Sequence, residues 1–70
     1  MKISARNVLS GKVISCVKGQ TTAHVKIEIA GGGIITSSIT NEAVDELNLS
    51  VGQQVSAIVK SSDVLIAVEA

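Results

Sequence analysis

The chain has 70 residues, room for one domain at most, and its six basic and six acidic side chains cancel. That balance argues against a nonspecific nucleic-acid binder, which needs a positive field to pair with phosphates, and the lack of Phe, Tyr and Trp removes the rings on which single-stranded bases stack. A single cysteine, Cys16, and a single histidine, His24, leave no disulfide framework and no Cys/His zinc site.

Taken in chain order, Met1 to Asn7 holds no apolar stretch of signal-peptide length. Gly11 to Val17 is rich in β-branched residues and reads as a first strand, with Lys18-Gly19-Gln20 as the turn after it. Ala23 to Ile29 alternates apolar and polar residues without error, the pattern of a half-buried second strand. Gly31-Gly32-Gly33 must be a turn or bulge, since three glycines are costly inside a regular element. Ile34 to Ile39 reads as a third strand. The period then changes: Val44 and Leu47 are three apart, Glu42 lies in the first turn, and Thr40 or Asn41 can cap, so Thr40 to Leu47 is expected to be a short helix. Val55 to Lys60 and Val64 to Val68 complete the set as fourth and fifth strands, separated by the polar turn Ser61-Ser62-Asp63. The predicted fold class is all-β with one short helix. Five strands with a helix after the third match an OB-like barrel, with a loose β-sandwich as the alternative, in one domain over residues 1–70.

A chain of this size buries only roughly 60% of its unfolded surface, and a core so small supplies on the order of 3–5 kcal/mol without help. Disulfides and zinc being absent, the 46% hydrophobic content against 17% charged points to self-association. Val64 to Val68, the longest aliphatic run, is too short to cross a bilayer. The expected location is the cytoplasm, with no membrane partner.

Enzyme constellations are weak. His24 lies on the polar face of its strand, and Cys16, with no positive neighbour nearer than Lys18, reads as an inert strand thiol. Glu42, Asp45 and Glu46 are explained by the helix dipole. The three glycines lack the lysine and hydroxyl of a phosphate loop. The expectation is therefore a binding protein, not an enzyme. Two segments stand out. Ser4-Ala5-Arg6-Asn7 gathers a hydroxyl, a guanidinium and an amide, and Lys60-Ser61-Ser62 gathers an ammonium and two hydroxyls. With Thr40 and the amides after it, they form a set of donors with few carboxylates, which suits a tetrahedral dianion that can only accept hydrogen bonds.

On these residues the sequence resembles the molbindins, or Mop proteins. The similarity runs through Ser4-Ala5-Arg6-Asn7, Leu9-x-Gly11-x-Val13, Ala23-x-Val25-x-Ile27-x-Ile29-x-Gly31-Gly32, Ile39-Thr40-x-x-x-Val44-x-Glu46-Leu47 and Val51-Gly52-x-x-Val55-x-Ala57-x-Val59-Lys60-Ser61. The resemblance implies a TOBE-type domain with an OB-like barrel that assembles as a homo-hexamer, a trimer of dimers. It implies that molybdate or tungstate is held between subunits, for intracellular storage. Carried over by position, the site would use Ser4, Ala5, Arg6, Thr40, Lys60 and Ser61, with a second anion site lined by Lys18, Gly19, Gln20, Thr21 and Thr22. Related domains often place a serine three residues after the threonine, where this chain has Ala43, so one donor is expected to be replaced. The alternative function is a regulatory or assembly module of the same fold with a weak anion site.

Overall fold

The computed structural model describes residues 1–69. A single antiparallel sheet runs β3-β2-β1-β4, formed by β1 (Asn7–Lys18), β2 (Thr22–Ile29), β3 (Ile34–Thr40) and β4 (Gln54–Val59), with α1 (Asn41–Leu47) following β3. One curled sheet, not two stacked ones, decides between the expected alternatives in favour of the barrel-like curl, here a half-barrel. β1 is the organising strand. Its first half, Asn7 to Lys12, pairs with β4, and its second half, Gly11 to Lys18, pairs with β2. The register slips between Val13 and Ser15, so Ile14 is a bulge that bends the strand from one ladder into the other. Gly11 sits where the ladders overlap, opposite both Ile29 and Val55. A Cβ there would lie 2.5 Å from Ile27 Cγ2 and 2.7 Å from the Glu28 carbonyl oxygen. Only glycine lets three strands approach so closely at this point.

The alternation seen in the sequence is the cause of the core. Ala23, Val25 and Ile27 point inward from β2 and meet Val13 of β1, Ala57 of β4 and Val44 of α1, while His24, Lys26 and Glu28 face out. The helix is held over this cluster by Val44. Thr40 is its N-cap, and Asn48, in the left-handed region at φ 53°, ends it by turning its N–H onto the carbonyls of Asp45 and Val44. Gly31, Gly32 and Gly33 all have positive φ, so the expected turn between β2 and β3 is there and requires glycine.

The fifth strand is not. Residues 64–68 make no ladder among the described residues. Lys60–Asp63 does turn, but Ser61–Asp63 winds into one turn of 3-10 helix, and the Val64 N–H that would open a hairpin ladder is bonded to the Ser61 carbonyl at 3.3 Å. The chain after this turn adds no strand to the free edge of β4 among the described residues. The sheet stays open between β3 and β4, and an apolar groove runs between them.

Candidate anion-binding site

The register of β1 against β4 brings together the two ends that sequence reading singled out. Asn7 is opposite Val59, so Ser4, Ala5 and Arg6, just before β1, lie beside Lys60 and Ser61, just after β4. Asn7 ties the two segments. Its Nδ2 donates to the Val59 carbonyl at 3.3 Å and lies 3.4 Å from Ser61 Oγ. Sequence reading grouped Asn7 with the donors without assigning it this part, because its partner is 52 residues away. Ala5 is half-buried, and Ser4, Arg6, Lys60 and Ser61 are exposed. Neither Arg6 nor Lys60 is engaged in an ion pair among the described residues. Two cations, two hydroxyls and local backbone thus share one end of the sheet with their charge unspent. That arrangement can attract and bond an acceptor-only anion. It offers no enclosure of its own, since its side chains stand on an open surface.

Thr40 is elsewhere. It pairs with Thr22 at the far end of β2, the end where Lys18 pairs with Ala23. Most of the 12-residue β1 separates Thr40 from Arg6, a contour of roughly 36–40 Å at about 3.3 Å per residue. The six expected donors therefore do not converge within one chain. The amides after Thr40 are also largely committed: Ala43 N–H donates to Thr40 Oγ1 at 3.0 Å, and Asn41 N–H to the Thr21 carbonyl at 2.9 Å. Thr40 keeps its hydroxyl proton for a partner. Ala43, the departure from the related domains, contributes its N–H to the cap.

The second candidate loop lies at this same end. Gly19 N–H bonds the Thr22 carbonyl at 2.7 Å, and Asn41 Nδ2 donates to the Gly19 carbonyl at 2.9 Å. Gln20, Thr21 and Thr22 are exposed. Lys18 Nζ is 2.5 Å from Asp45 Oδ1, so its charge is already matched. Asn41 Oδ1, on the same amide that donates to Gly19, is buried without a hydrogen-bond partner. Of this set the hydroxyls of Thr21 and Thr22 are the donors best placed to meet an anion, and Lys18 is the least available. His24 is exposed on β2 and Cys16 is a half-buried free thiol packed on the core, so neither joins a constellation. No group of three His, Cys, Asp or Glu side chains able to hold a metal ion exists among the described residues. No helix among them is long and apolar enough to cross a membrane.

Comparison with known proteins agrees with the fold. The family model of the TOBE domain matches residues 3–66. The chain is 53% identical over 66 residues to molybdenum-pterin-binding protein 2 of Clostridium pasteurianum, covering 94% of this chain and 97% of that one. Among solved structures it is similar to MopII of Clostridium pasteurianum, at a TM-score of 0.90 and 51% identity, covering 96% of this chain and 100% of that one. It is also similar to a molybdate-binding protein of Sporomusa ovata, at a TM-score of 0.89 and 34% identity over 96% of this chain and 98% of that one. With a matched family model over nearly its whole length and relatives of its own size, the chain belongs to the TOBE domain family, among the small molybdenum-pterin-binding (Mop) proteins.

Proposed function

We propose that this protein binds molybdate as the free dianion, at sites completed between copies of the chain, and serves to store it in the cytoplasm. The observation that carries the reading is the pairing of Asn7 with Val59, which sets Ser4, Ala5 and Arg6 beside Lys60 and Ser61. Relatives named for binding molybdate or molybdenum-pterin supply the identity of the anion. The chain has no aromatic residue to stack on a pterin ring, which favours the bare oxyanion. Binding exchanges water for fixed N–H and O–H donors, with no bond made or broken. Arg6 gives two parallel hydrogen bonds, Lys60 a point charge, and Ser4 and Ser61 hydroxyls. Thr40 and the open character of the Arg6–Lys60 surface support a shared site, because a second copy can bring its own Thr40 end against that surface. Such assembly, a hexamer built from dimers on this reading, dries the site and strengthens every contact in it. Tungstate, equal in charge and nearly equal in size, binds alike. Phosphate is rejected because its protonated form presents a donor to a site made of donors.

Equilibrium dialysis of the purified protein against molybdate, tungstate, sulfate and phosphate tests the proposal. Saturable molybdate and tungstate uptake is expected, with Lys60→Met and Arg6→Gln each weakening it at least tenfold while far-ultraviolet circular dichroism stays unchanged. Absence of saturable molybdate uptake by the wild-type protein would leave the assembly-module function in its place.

A further inference from the structure

The half-buried Asn7 opens β1, and one atom of its side chain, Nδ2, faces two oxygens across the ladder: the Val59 carbonyl at 3.3 Å and Ser61 Oγ at 3.4 Å. The carbonyl settles which way the amide is turned. A backbone oxygen can only accept, so the nitrogen and not Oδ1 must be the atom set against it. That nitrogen in turn settles Ser61. A primary amide nitrogen donates its protons and accepts none, so Ser61 Oγ is the acceptor in this pair and its own proton must point elsewhere. The Ser61 backbone is fixed independently by the 3-10 turn, where the Val64 N–H donates to the Ser61 carbonyl at 3.3 Å and the Asp63 N–H to the Lys60 carbonyl at 2.9 Å. With its backbone held by the turn and its oxygen by Asn7, the Ser61 hydroxyl keeps only the rotation of its proton, and Asn7 bars the arc on its own side. Ser61 is otherwise exposed. The proton is left to the open surface at the end of the sheet that Arg6 and Lys60 share.

We propose that Asn7 is a positioning residue for the anion: without touching the ion, it makes the Ser61 hydroxyl an outward donor. The proposal rests on the molybdate reading given above. A serine hydroxyl left alone is as ready to accept as to donate. A site for an acceptor-only dianion gains from any contact that removes the wrong orientation before the ion arrives. The two bonds also reinforce each other. An anion that takes the Ser61 proton raises the negative charge on Oγ, and so strengthens the bond that Oγ accepts from Asn7. At 3.4 Å that bond is long against the usual range of roughly 2.7–3.2 Å, which leaves it room to shorten when the ion binds.

Nuclear magnetic resonance of the isotope-labelled full chain reads the Asn7 side-chain amide directly. Without anion, Ser61→Ala should move an Asn7 Nδ2 proton upfield, as loss of an acceptor requires, while Ser62→Ala leaves it in place. Molybdate should move the same proton downfield in the wild type and not in Ser61→Ala, a response that a merely structural tie does not give. Equilibrium dialysis supplies the second reading. Asn7→Ala should weaken molybdate binding roughly fivefold, the worth of one hydrogen bond. In the Ser61→Ala background the same change should cost less than about twofold, because the group through which Asn7 acts is already gone. The spectra need no substitution at Asn7, so they decide the matter whether or not Asn7→Ala folds. An Asn7 amide proton indifferent to Ser61→Ala, one that bound molybdate leaves unmoved, or equal losses on Asn7→Ala with and without the Ser61 hydroxyl would each overturn the proposal. A wild-type chain that takes up no molybdate would instead refute the functional reading, with the anion-free spectra still deciding whether Asn7 holds Ser61.

Discussion

Thr40 holds two roles on this reading, and substitution can separate them. Its Oγ1 accepts the Ala43 N–H at 3.0 Å, capping α1, and its hydroxyl proton remains to be donated to an anion. Aspartate caps helices at least as well as threonine, so Thr40→Asp should unfold within about 0.5 kcal/mol of the wild type. The same change replaces a donor by a negative charge. Losing a hydrogen bond to a charged group costs roughly 1.5–3 kcal/mol, which is about a 10- to 100-fold loss of molybdate affinity before repulsion is added. Thr40→Ala should lose both roles. It forfeits about 1 kcal/mol of cap, a quarter or so of what a core this small provides, and the same 10- to 100-fold in binding. Thr40→Ser should lose neither. Urea unfolding and isothermal titration with molybdate, run in parallel on the three variants, read the two roles independently. Wild-type affinity in Thr40→Asp would remove Thr40 from the site. An unfolding curve for Thr40→Asp as weak as that of Thr40→Ala would show that the cap is not what the oxygen supplies.

Gly11→Ala should destabilise by about 1–3 kcal/mol, the range of an overpacked core, because its Cβ meets the Glu28 carbonyl and Ile27 inside two ladders; a thermal midpoint within about 2 °C of wild type would contradict the crowding argument. Asp45→Asn removes the carboxylate from an ion pair whose side chains are 46% and 67% exposed, so unfolding should shift by no more than about 0.5 kcal/mol. The same change frees the Lys18 ammonium and should strengthen any anion binding at the Thr21–Thr22 loop, read as a second class of molybdate sites in dialysis. No second class in either protein would take that loop out of consideration.

What the sequence made readable was whatever is decided locally. Ala23 to Ile29 alternates because one face of β2 is buried, and the pattern of burial follows the residues one by one. The Thr40 cap and the glycine turn at 31–33 were equally plain, because a hydroxyl before a period change and three adjacent glycines have few other uses. β1 was seen only from Gly11, although it starts at Asn7. Its first residues pair with β4, some fifty residues later, and Val8 and Leu9 are half exposed, so no alternation marks them. Residues 64–68 have the composition of a strand and remain without a partner, since composition records the capacity to pair and not the presence of an edge. At the site, the donor types were visible but their placement was not. That Arg6 neighbours Lys60, while Thr40 lies a strand's length away, depends on ladder register across the chain, which short-range pattern does not encode.

Among the described residues the buried hydrophobic side chains are three valines, one isoleucine and two alanines. A core of that size is near the minimum for a domain that stands alone, and no disulfide can reinforce it. Meanwhile Leu47, Val51, Leu65, Ile66 and Val68 are more than half exposed. Surfaces that bury these groups favour the folded chain over the unfolded one by mass action, and an anion that fits only between such surfaces acts in the same direction. If copies assemble around molybdate as proposed, folding, assembly and binding form one linked equilibrium. Substitutions at Ile66 and at Lys60, remote in role, should therefore fail to add when combined, because each shifts the same population. On the proposed reading the chain acts as a buffer: its affinity is set by how many copies are assembled around the ion, and falls as the assembly is diluted.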